Sequence, residues 1–381
     1  MSVTHPSGFR AGGAACGIKP GVVPDLAVVT AAEAVPAAAV FTRNTAAAAP
    51  VVLSRRHVAG GTARAVVINS GCANAATGAA GMSAALAMAD ATARRLGCDP
   101  TDVLVCSTGT IGDQIPLDRV TNGIAEFELS DDGGAAAARA ILTTDSRPKQ
   151  AVVIGDGFSV GGMAKGAGMV RPDMATMLAV VTTDAIADPY TLDTVLRRAV
   201  VRSFNALNID GCESTNDTVI VMASGASGVE ADLSDLAAAV EEACRSLAYQ
   251  MAADAEGASR VVIIELGGAW DDETALRLAR AVADSALVRA SFYGADPNWG
   301  RLLAAMGSTR IPFDPNAVSV AYAGAEVAHA GMATDADLDA VAEKLAGDLI
   351  VSITVGDGPG RCSLLTTDLT PDYVRFNADR S

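Results

Sequence analysis

Short apolar runs alternate with Ala-rich amphipathic stretches along the whole chain. The apolar runs are rich in β-branched residues and therefore predict strands. The predicted strands are Leu26–Val29, Arg64–Ile68, Val103–Cys106, Gln150–Ile154, Met177–Thr182, Thr218–Ala223, Val261–Glu265 and Val318–Tyr322. The amphipathic stretches, several of which begin beside an Asp, Ser or Pro, predict helices. The predicted helices are Met82–Leu96, Asp132–Leu142, Pro189–Phe204, Leu233–Glu256 and Asp272–Ala286.

This alternation excludes an all-α or all-β protein and predicts a layered α/β or α+β architecture. A chain of 381 residues can bury a large core and is long enough for two domains or lobes. The polar stretch Gly307–Pro315 predicts a smaller C-terminal lobe that begins at about residue 315.

The composition argues against some classes of binding partner and cellular location. The formal net charge of −16 argues against nucleic acid and other polyanions, which need a surplus of Lys and Arg. All apolar runs are shorter than the roughly 20 residues of a membrane span, and the N-terminus lacks a signal-peptide pattern. The seven cysteines include no C-x-x-C pair, which fits a reducing compartment and predicts a cytoplasmic protein.

Several common catalytic devices are missing. The three histidines, His5, His57 and His329, lie in no constellation that suggests a Ser–His–Asp triad. No H-E-x-x-H motif, cysteine quartet or carboxylate cluster suggests a metal site, and no phosphate-binding loop is present. We therefore expect neither a metal nor a cofactor, and a nucleophilic enzyme would need a base other than histidine.

The segment Met163–Leu178 contains Lys165, a glycine-rich turn, and Ala175–Thr176 at the entry to an apolar strand. The simplest interpretation is a loop that enters a strand, with Thr176 present for its β-propensity. Alternatively, the Thr176 hydroxyl attacks the preceding carbonyl, and hydrolysis leaves Thr176 as a new N-terminus. Its α-amine, with an ordinary pKa of about 7.7–8.0, would then be the general base that the histidines do not supply.

Three other segments have both a catalytic and a structural interpretation. Thr108 and Gly109 follow an apolar strand, where a hydroxyl and a backbone N–H can stabilise an oxyanion or simply form a turn. The polar segment Leu142–Lys149 can bind the amino-acid end of a substrate or cap a helix. Glu256, at the end of a predicted helix, opposes the helix dipole, which suggests ammonium binding or plain solvent exposure.

These segments belong to a series of motifs that resembles the ornithine acetyltransferase (glutamate N-acetyltransferase) family over nearly the whole chain. The motifs are Asn69-Ser-Gly71 with Asn74, Ser107-Thr-Gly109, Thr143-Thr-Asp145, Lys165-Gly-Ala-Gly-Met169, Met174-Ala-Thr-Met-Leu178, Ser214-Thr-Asn-Asp-Thr218, Asp254-Ala-Glu-Gly257 and Gly294-Ala-Asp-Pro-Asn-Trp-Gly-Arg301.

The resemblance implies an αββα sandwich similar to that of N-terminal-nucleophile hydrolases. It also implies self-cleavage between Ala175 and Thr176 into chains of residues 1–175 and 176–381, two of each forming a heterotetramer. N-acetylornithine would acetylate Thr176, and glutamate would accept the acetyl group, which recycles it in arginine biosynthesis; acetyl-CoA is a further acetyl donor to test. The residues implied are Thr108 and Gly109 for the oxyanion hole and Thr143, Lys165, Thr176, Glu256 and Asn377 for substrate binding.

The sequence departs from the family pattern at Cys72, at Ala76 and in the C-terminal segment Asn377–Ser381, which is one residue short. The altered C-terminal segment favours one alternative, a paralogue that acts on another N-acyl amino acid. Two further alternatives to the transferase stay open: an N-terminal-nucleophile amidase or aminopeptidase that uses Thr176 with water as acceptor, and an uncleaved binding or structural protein.

Overall fold

The computed structural model describes residues 2–170 and 177–379. The strands in these residues are β1 Phe9–Ala14, β2 Leu26–Phe41, β3 Thr62–Cys72, β4 Val103–Thr110, β5 Lys149–Ile154, β6 Ser159–Lys165, β7 Leu178–Thr183, β8 Thr218–Ala223, β9 Val261–Gly268, β10 Ser319–Tyr322, β11 Ala325–His329, β12 Met332–Ala333, β13 Leu349–Thr354 and β14 Gly358–Thr367. The α-helices are α1 Ala49–His57, α2 Gly78–Leu96, α3 Leu117–Glu126, α4 Gly134–Ala140, α5 Pro189–Val201, α6 Leu233–Ala252, α7 Asp272–Asp284, α8 Ala286–Tyr293, α9 Trp299–Ser308, α10 Leu338–Glu343 and α11 Pro371–Ala378.

The chain divides into two compact units. The first unit comprises Met1–Asn205 and Cys212–Met251, and the second comprises Ala206–Gly211 and Ala252–Ser381. In the first unit the strands follow the order β4-β3-β2-β8-β7-β6-β5, and β1 also pairs with β2. The pairs β3–β4 and β7–β8 are parallel, and the other pairs are antiparallel.

The long strand β2 divides the sheet of the first unit into two layers. Its first half pairs with β1 and β3, its register with β3 shifts between Thr30 and Val35, and its last five residues pair with β8. One buried cluster combines side chains of β3 and β4 with side chains of β6, β7 and β8, so the two layers pack against each other.

Helices cover the outer face of each layer. Met88 of α2 packs with Val67 and Val105 outside the first layer. On the second layer, α5 contacts β2 and β8, and Leu247 of α6 approaches Gly162 of β6. The αββα layering that the family resemblance implies is therefore confirmed in the first unit.

The sequences of β7 and β8 explain their central position. All six residues of each strand are buried, including the β-branched Val180, Val181 and Val221. A strand covered on both faces shows a continuous apolar run instead of the alternation of a half-exposed strand. Each such side chain contributes about 1.5–3 kcal/mol when it leaves water, so this pair stabilises the layer that carries the candidate site.

The second unit contains a six-stranded sheet in the order β12-β11-β10-β13-β9-β14. Strands β13 and β9 are parallel, and the other pairs are antiparallel. Its core joins Val262 and Ile264 of β9 to Leu278 and Val282 of α7. No helix in residues 2–170 or 177–379 has both the length and the apolar character of a membrane span.

Each predicted strand and helix corresponds to an observed element, although several ends differ, and one of these differences affects a predicted site residue. The predicted helix Leu233–Glu256 ends at Ala252, so Glu256 lies in a turn and does not oppose a helix dipole. Gly257 has a φ of +62°, and a Cβ atom there would lie 2.3 Å from the backbone N of Tyr373. The chain therefore turns at this point because only glycine fits.

Strand β6 is not among the predicted strands. Gly161 and Gly162 lower the β-propensity of its sequence, yet the whole strand is buried. A Cβ atom at position 161 would lie 2.4 Å from the backbone O of Ser2, so a close backbone approach accounts for that glycine. This strand ends at Lys165.

Candidate active site

The predicted nucleophile Thr176 and its neighbour Ala175 lie outside the described residues, but Met177 is described. The backbone N–H of Met177 donates a hydrogen bond to Asp217 Oδ1 at 2.9 Å, and its carbonyl accepts one from the N–H of Thr218 at 3.2 Å. The residue that follows Thr176 is therefore held on both sides by the start of β8.

Lys165 lies beside the start of β7. The register pairs Lys165 with Leu178, and Leu178 pairs with Thr218, so the three residues form one row across β6, β7 and β8. Only 3% of the Lys165 side chain is exposed, and its Nζ atom lies 3.9 Å from Asp145 Oδ2. A buried ammonium at this position can pair with a substrate carboxylate.

Asp145 connects two of the predicted substrate-binding residues. Its Oδ1 atom accepts from Lys149 Nζ at 2.5 Å and from the Gly166 N–H at 2.7 Å, and its Oδ2 atom accepts from the Thr143 N–H at 3.1 Å. The side chains of Asp145 and Lys149 are fully buried. Thr143 and the end of β6 are thus held by one carboxylate.

A third lysine lies close to this cluster. Lys19 Nζ donates to the carbonyl of Leu142 at 2.6 Å. Burial lowers the pKa of Lys19, and the Lys165 ammonium lowers it further, against the opposite effect of the Asp25 and Asp145 carboxylates. Lys19 therefore lies close enough to Lys165 and Asp145 to belong to the same cluster of charged groups.

The Asp145 carboxyl makes a testable contribution to acid stability. Burial alone would raise its pKa, but Lys165, Lys149 and the Gly166 N–H together lower it from 3.8 to about 2. Because the pKa is lower in the folded state, the stabilisation is present above 3.8 and is lost as the pH falls towards 2.

We expect this loss to amount to about 2 kcal/mol in the free energy of unfolding between pH 5 and pH 2. Urea unfolding of the wild type and of Asp145→Asn across this range measures it, since the variant lacks the titrating group. An identical acid dependence in the two proteins would contradict the assignment.

Thr108 and Gly109 end β4 beside the bulged end of β3. Thr108 pairs with Ser70 and is 4% exposed, whereas Gly109 is exposed. Gly109 has a φ of +134°, and a Cβ atom on it would lie 2.3 Å from the carbonyl carbon of Gly71. Only glycine fits this close approach of the two backbones.

The Asn216 side chain joins the end of β4 to the segment before β8 that holds Met177. Asn216 Nδ2 donates to the carbonyl of Ser107 at 2.8 Å, and the next residue, Asp217, accepts from Met177. Hydrogen bonds, ion pairing and strand pairing therefore link four of the predicted features in the first unit: the end of β4 with Thr108 and Gly109, Thr143, Lys165 and the start of β7.

Glu256 and Asn377 belong to the second unit. Glu256 is half-buried in its turn. Asn377 is exposed on α11, where its Nδ2 atom donates to the carbonyl of Tyr373 at 3.1 Å. Their role in substrate binding stays a prediction.

Sequence reasoning assigned no role to Lys19, Asn216 or Asp217. Burial raises the pKa of Asp217 well above its ordinary value, although the Met177 N–H and the Lys165 ammonium act in the opposite direction. The available signal was the run Ser-Thr-Asn-Asp immediately before the apolar strand β8, since a run of polar residues at a buried strand end needs partners.

Other surfaces of the described residues offer less chemistry. A groove of about 790 Å³ lies between β2, α1 and α5, with Phe41, Arg55, Tyr190 and Arg197 in its wall, and it contains none of the predicted site residues. Residues 2–170 and 177–379 include no group of three or more His, Cys, Asp or Glu side chains that could hold a metal ion.

Comparisons with known proteins agree with the motifs. The model of the ArgJ family matches residues 10–381. The arginine biosynthesis bifunctional protein ArgJ of Thermobifida fusca is 46% identical over 381 residues, which cover 99% of each chain. Its counterpart from Mycobacterium leprae is 44% identical over 389 residues and is matched over 95% of its length.

A solved structure of ornithine acetyltransferase from Mycobacterium tuberculosis, complexed with ornithine, is 44% identical to this chain. The match covers 45% of this chain and 94% of that chain, with a TM-score of 0.43. The family match and the full-length relatives confirm the resemblance found in the motifs and the prediction of an enzyme of arginine biosynthesis. The chain belongs to the ArgJ family.

Proposed function

We propose that the chain transfers an acetyl group from N-acetylornithine to glutamate through an acetyl ester on Thr176, after cleavage between Ala175 and Thr176. The observation that carries the proposal is that buried Lys165 pairs with Leu178 at the start of β7, while Asn216 and Asp217 link the end of β4, which carries Thr108 and Gly109, to Met177. Full-length relatives named as arginine biosynthesis proteins support the substrate class.

Cleavage requires no external catalyst. The Thr176 hydroxyl attacks the carbonyl of Ala175 and forms an ester. The peptide nitrogen of Thr176 leaves as an amine and takes up the hydroxyl proton. Water then hydrolyses the ester, which gives a carboxylate on Ala175 and restores the Thr176 hydroxyl. The freed α-amine serves as general base in the later steps.

In turnover, the amine accepts the hydroxyl proton while Thr176 Oγ attacks the acetyl carbonyl of N-acetylornithine. The Thr108 hydroxyl and the Gly109 N–H stabilise the oxyanion, and ornithine leaves after it takes up the proton. Glutamate then attacks the acetyl ester through its amine and regenerates Thr176. Lys165 and Thr143 bind the amino-acid end of the substrate, and the family resemblance assigns substrate contacts to Glu256 and Asn377 as well.

The proposal extends to assembly and location. Two chains of residues 1–175 and two of residues 176–381 form a heterotetramer in the cytoplasm, without a cofactor. Light scattering coupled to gel filtration tests the assembly, and a species containing only one copy of each chain would contradict it.

The activity assay separates the proposal from its alternatives. Purified protein is incubated with N-acetylornithine and glutamate, and N-acetylglutamate and ornithine are quantified. Release of acetate without glutamate would indicate an amidase, and comparable rates with unrelated N-acyl donors would indicate a paralogue of other specificity. Acetyl-CoA, offered in place of N-acetylornithine, tests the second donor.

Thr108→Ala is expected to lower kcat about 10²–10³-fold, because removal of one oxyanion donor has that effect in acyl-transfer enzymes. The KM for N-acetylornithine should change little, since the hydroxyl acts mainly in the transition state. Steady-state kinetics on the cleaved protein measures both constants. A change in kcat below about twofold would remove Thr108 from the site.

A further inference from the structure

The segment Ser214–Thr218 is held firmly by its backbone. The Thr42 hydroxyl donates to the carbonyl of Ser214 at 2.8 Å, and the Thr42 N–H donates to the carbonyl of Asp217 at 2.9 Å. The N–H of Ala48 donates to the carbonyl of Thr215 at 2.9 Å. Thr42 and Ala48 thus fix the backbone of this segment independently of the segment's own side chains.

Asn216 uses its side chain to hold the end of β4. Its Nδ2 atom donates to the carbonyl of Ser107 at 2.8 Å and to that of Ala73 at 2.6 Å. Its Oδ1 atom accepts from the Thr215 hydroxyl at 2.6 Å, which fixes the orientation of the amide. The residue is 5% exposed, so these contacts form away from water.

Asp217 uses its side chain to hold the start of β7. Its Oδ1 atom accepts from the Met177 N–H, and the carboxyl is fully buried. Burial raises the pKa of this carboxyl, and the N–H groups of Met177 and Ser214 both act in the opposite direction, so backbone donors favour its charged form.

We propose that Asn216 and Asp217 act as a pair of positioning residues that set the separation between Thr108–Gly109, at the end of β4, and Met177. The two residues are adjacent in the chain, yet the side chain of Asn216 holds the end of β4 and that of Asp217 holds the residue before β7. The inference rests on the proposed function, in which that separation determines how the nucleophile meets the oxyanion donors.

The isosteric change Asn216→Asp tests the pair most directly. A carboxylate cannot donate to the carbonyls of Ser107 and Ala73 and repels them, so the end of β4 is displaced. We expect kcat to fall about 10²-fold, as a displacement of about 1 Å in a catalytic group can cause. The KM for N-acetylornithine should stay within about twofold, because Lys165 and Thr143 are held by Asp145 and not by Asn216.

Two further variants keep the test decisive if Asn216→Asp fails to fold. Thr215→Val removes only the hydroxyl that orients the Asn216 amide, and we expect kcat to fall several-fold with unchanged KM. Asp217→Ala should slow the cleavage between Ala175 and Thr176 as well as turnover, because Met177 loses its acceptor. The control is Thr182→Val on β7, whose buried hydroxyl donates to the carbonyl of Val3 at 2.6 Å.

The control separates positioning from general stability. Thr182→Val should lower the melting temperature and leave kcat unchanged. The Asn216, Asp217 and Thr215 variants should lower kcat even where their melting temperature falls no further than that of Thr182→Val. A kcat within twofold of wild type for Thr215→Val, or a loss of kcat in Thr182→Val equal to theirs, would overturn the inference. A wild-type protein that neither cleaves nor transfers acetyl would instead overturn the proposed function.

Discussion

Replacing Thr176 by alanine is expected to leave one uncut chain of 381 residues and to abolish acetyl transfer. Without the hydroxyl there is no attack on the carbonyl of Ala175, so the α-amine that serves as general base is never released. The acetyl ester also has no oxygen on which to form. Mass spectrometry shows whether the chain is cut, and the transfer assay measures acetyl transfer on the same sample.

Thr176→Ser is the matched control, because serine keeps the hydroxyl and removes only a methyl group. We expect it to cleave and to retain measurable transfer. A Thr176→Ala protein that is cut and active would disprove the assignment of the nucleophile.

Asp145→Ala is expected to lower the free energy of unfolding by about 3–5 kcal/mol, the range found when one partner of a buried ion pair is removed. Lys149 is fully buried and would lose the carboxylate 2.5 Å away, and the nearby Lys165 would lose the same partner. Denaturant unfolding measures the change, with each compact unit allowed its own transition.

Asp193→Ala is the control for this prediction. Asp193 pairs with Arg197 at 2.7 Å, but both side chains are largely exposed, so its loss should cost at most about 1 kcal/mol. An equal effect of the two substitutions would contradict the account of the Asp145 cluster. The structure also predicts a higher KM for N-acetylornithine in Asp145→Ala, because Thr143 and the end of β6 share this carboxylate.

The sequence predicted the features that depend on local pattern. Continuous apolar runs identified β7 and β8, and the motif around Lys165 predicted a substrate-binding residue at a position that the structure buries at a strand end. The layering came from the family resemblance, because nothing in the pattern shows that β2 passes from one layer to the other.

The remaining features depend on contacts between residues far apart in the chain. The role of Asp217 arises from the parallel register of β7 and β8, which places it against Met177, 40 positions earlier. Asn216 contacts Ser107 across 109 positions. Local patterns contain no information about such pairings. The error at Glu256 was different, since the helical pattern continued past Ala252 and the requirement for Gly257 became visible only with Tyr373 in place.

The central claim is that Thr176 becomes an N-terminal nucleophile that carries the acetyl group. An intact-mass spectrum of the purified protein, taken before and after a brief exposure to N-acetylornithine, tests it most directly. The account predicts two chains split between Ala175 and Thr176, with one acetyl group gained on the chain that begins at Thr176. A single uncut chain with no added acetyl group would contradict both the processing and the covalent mechanism.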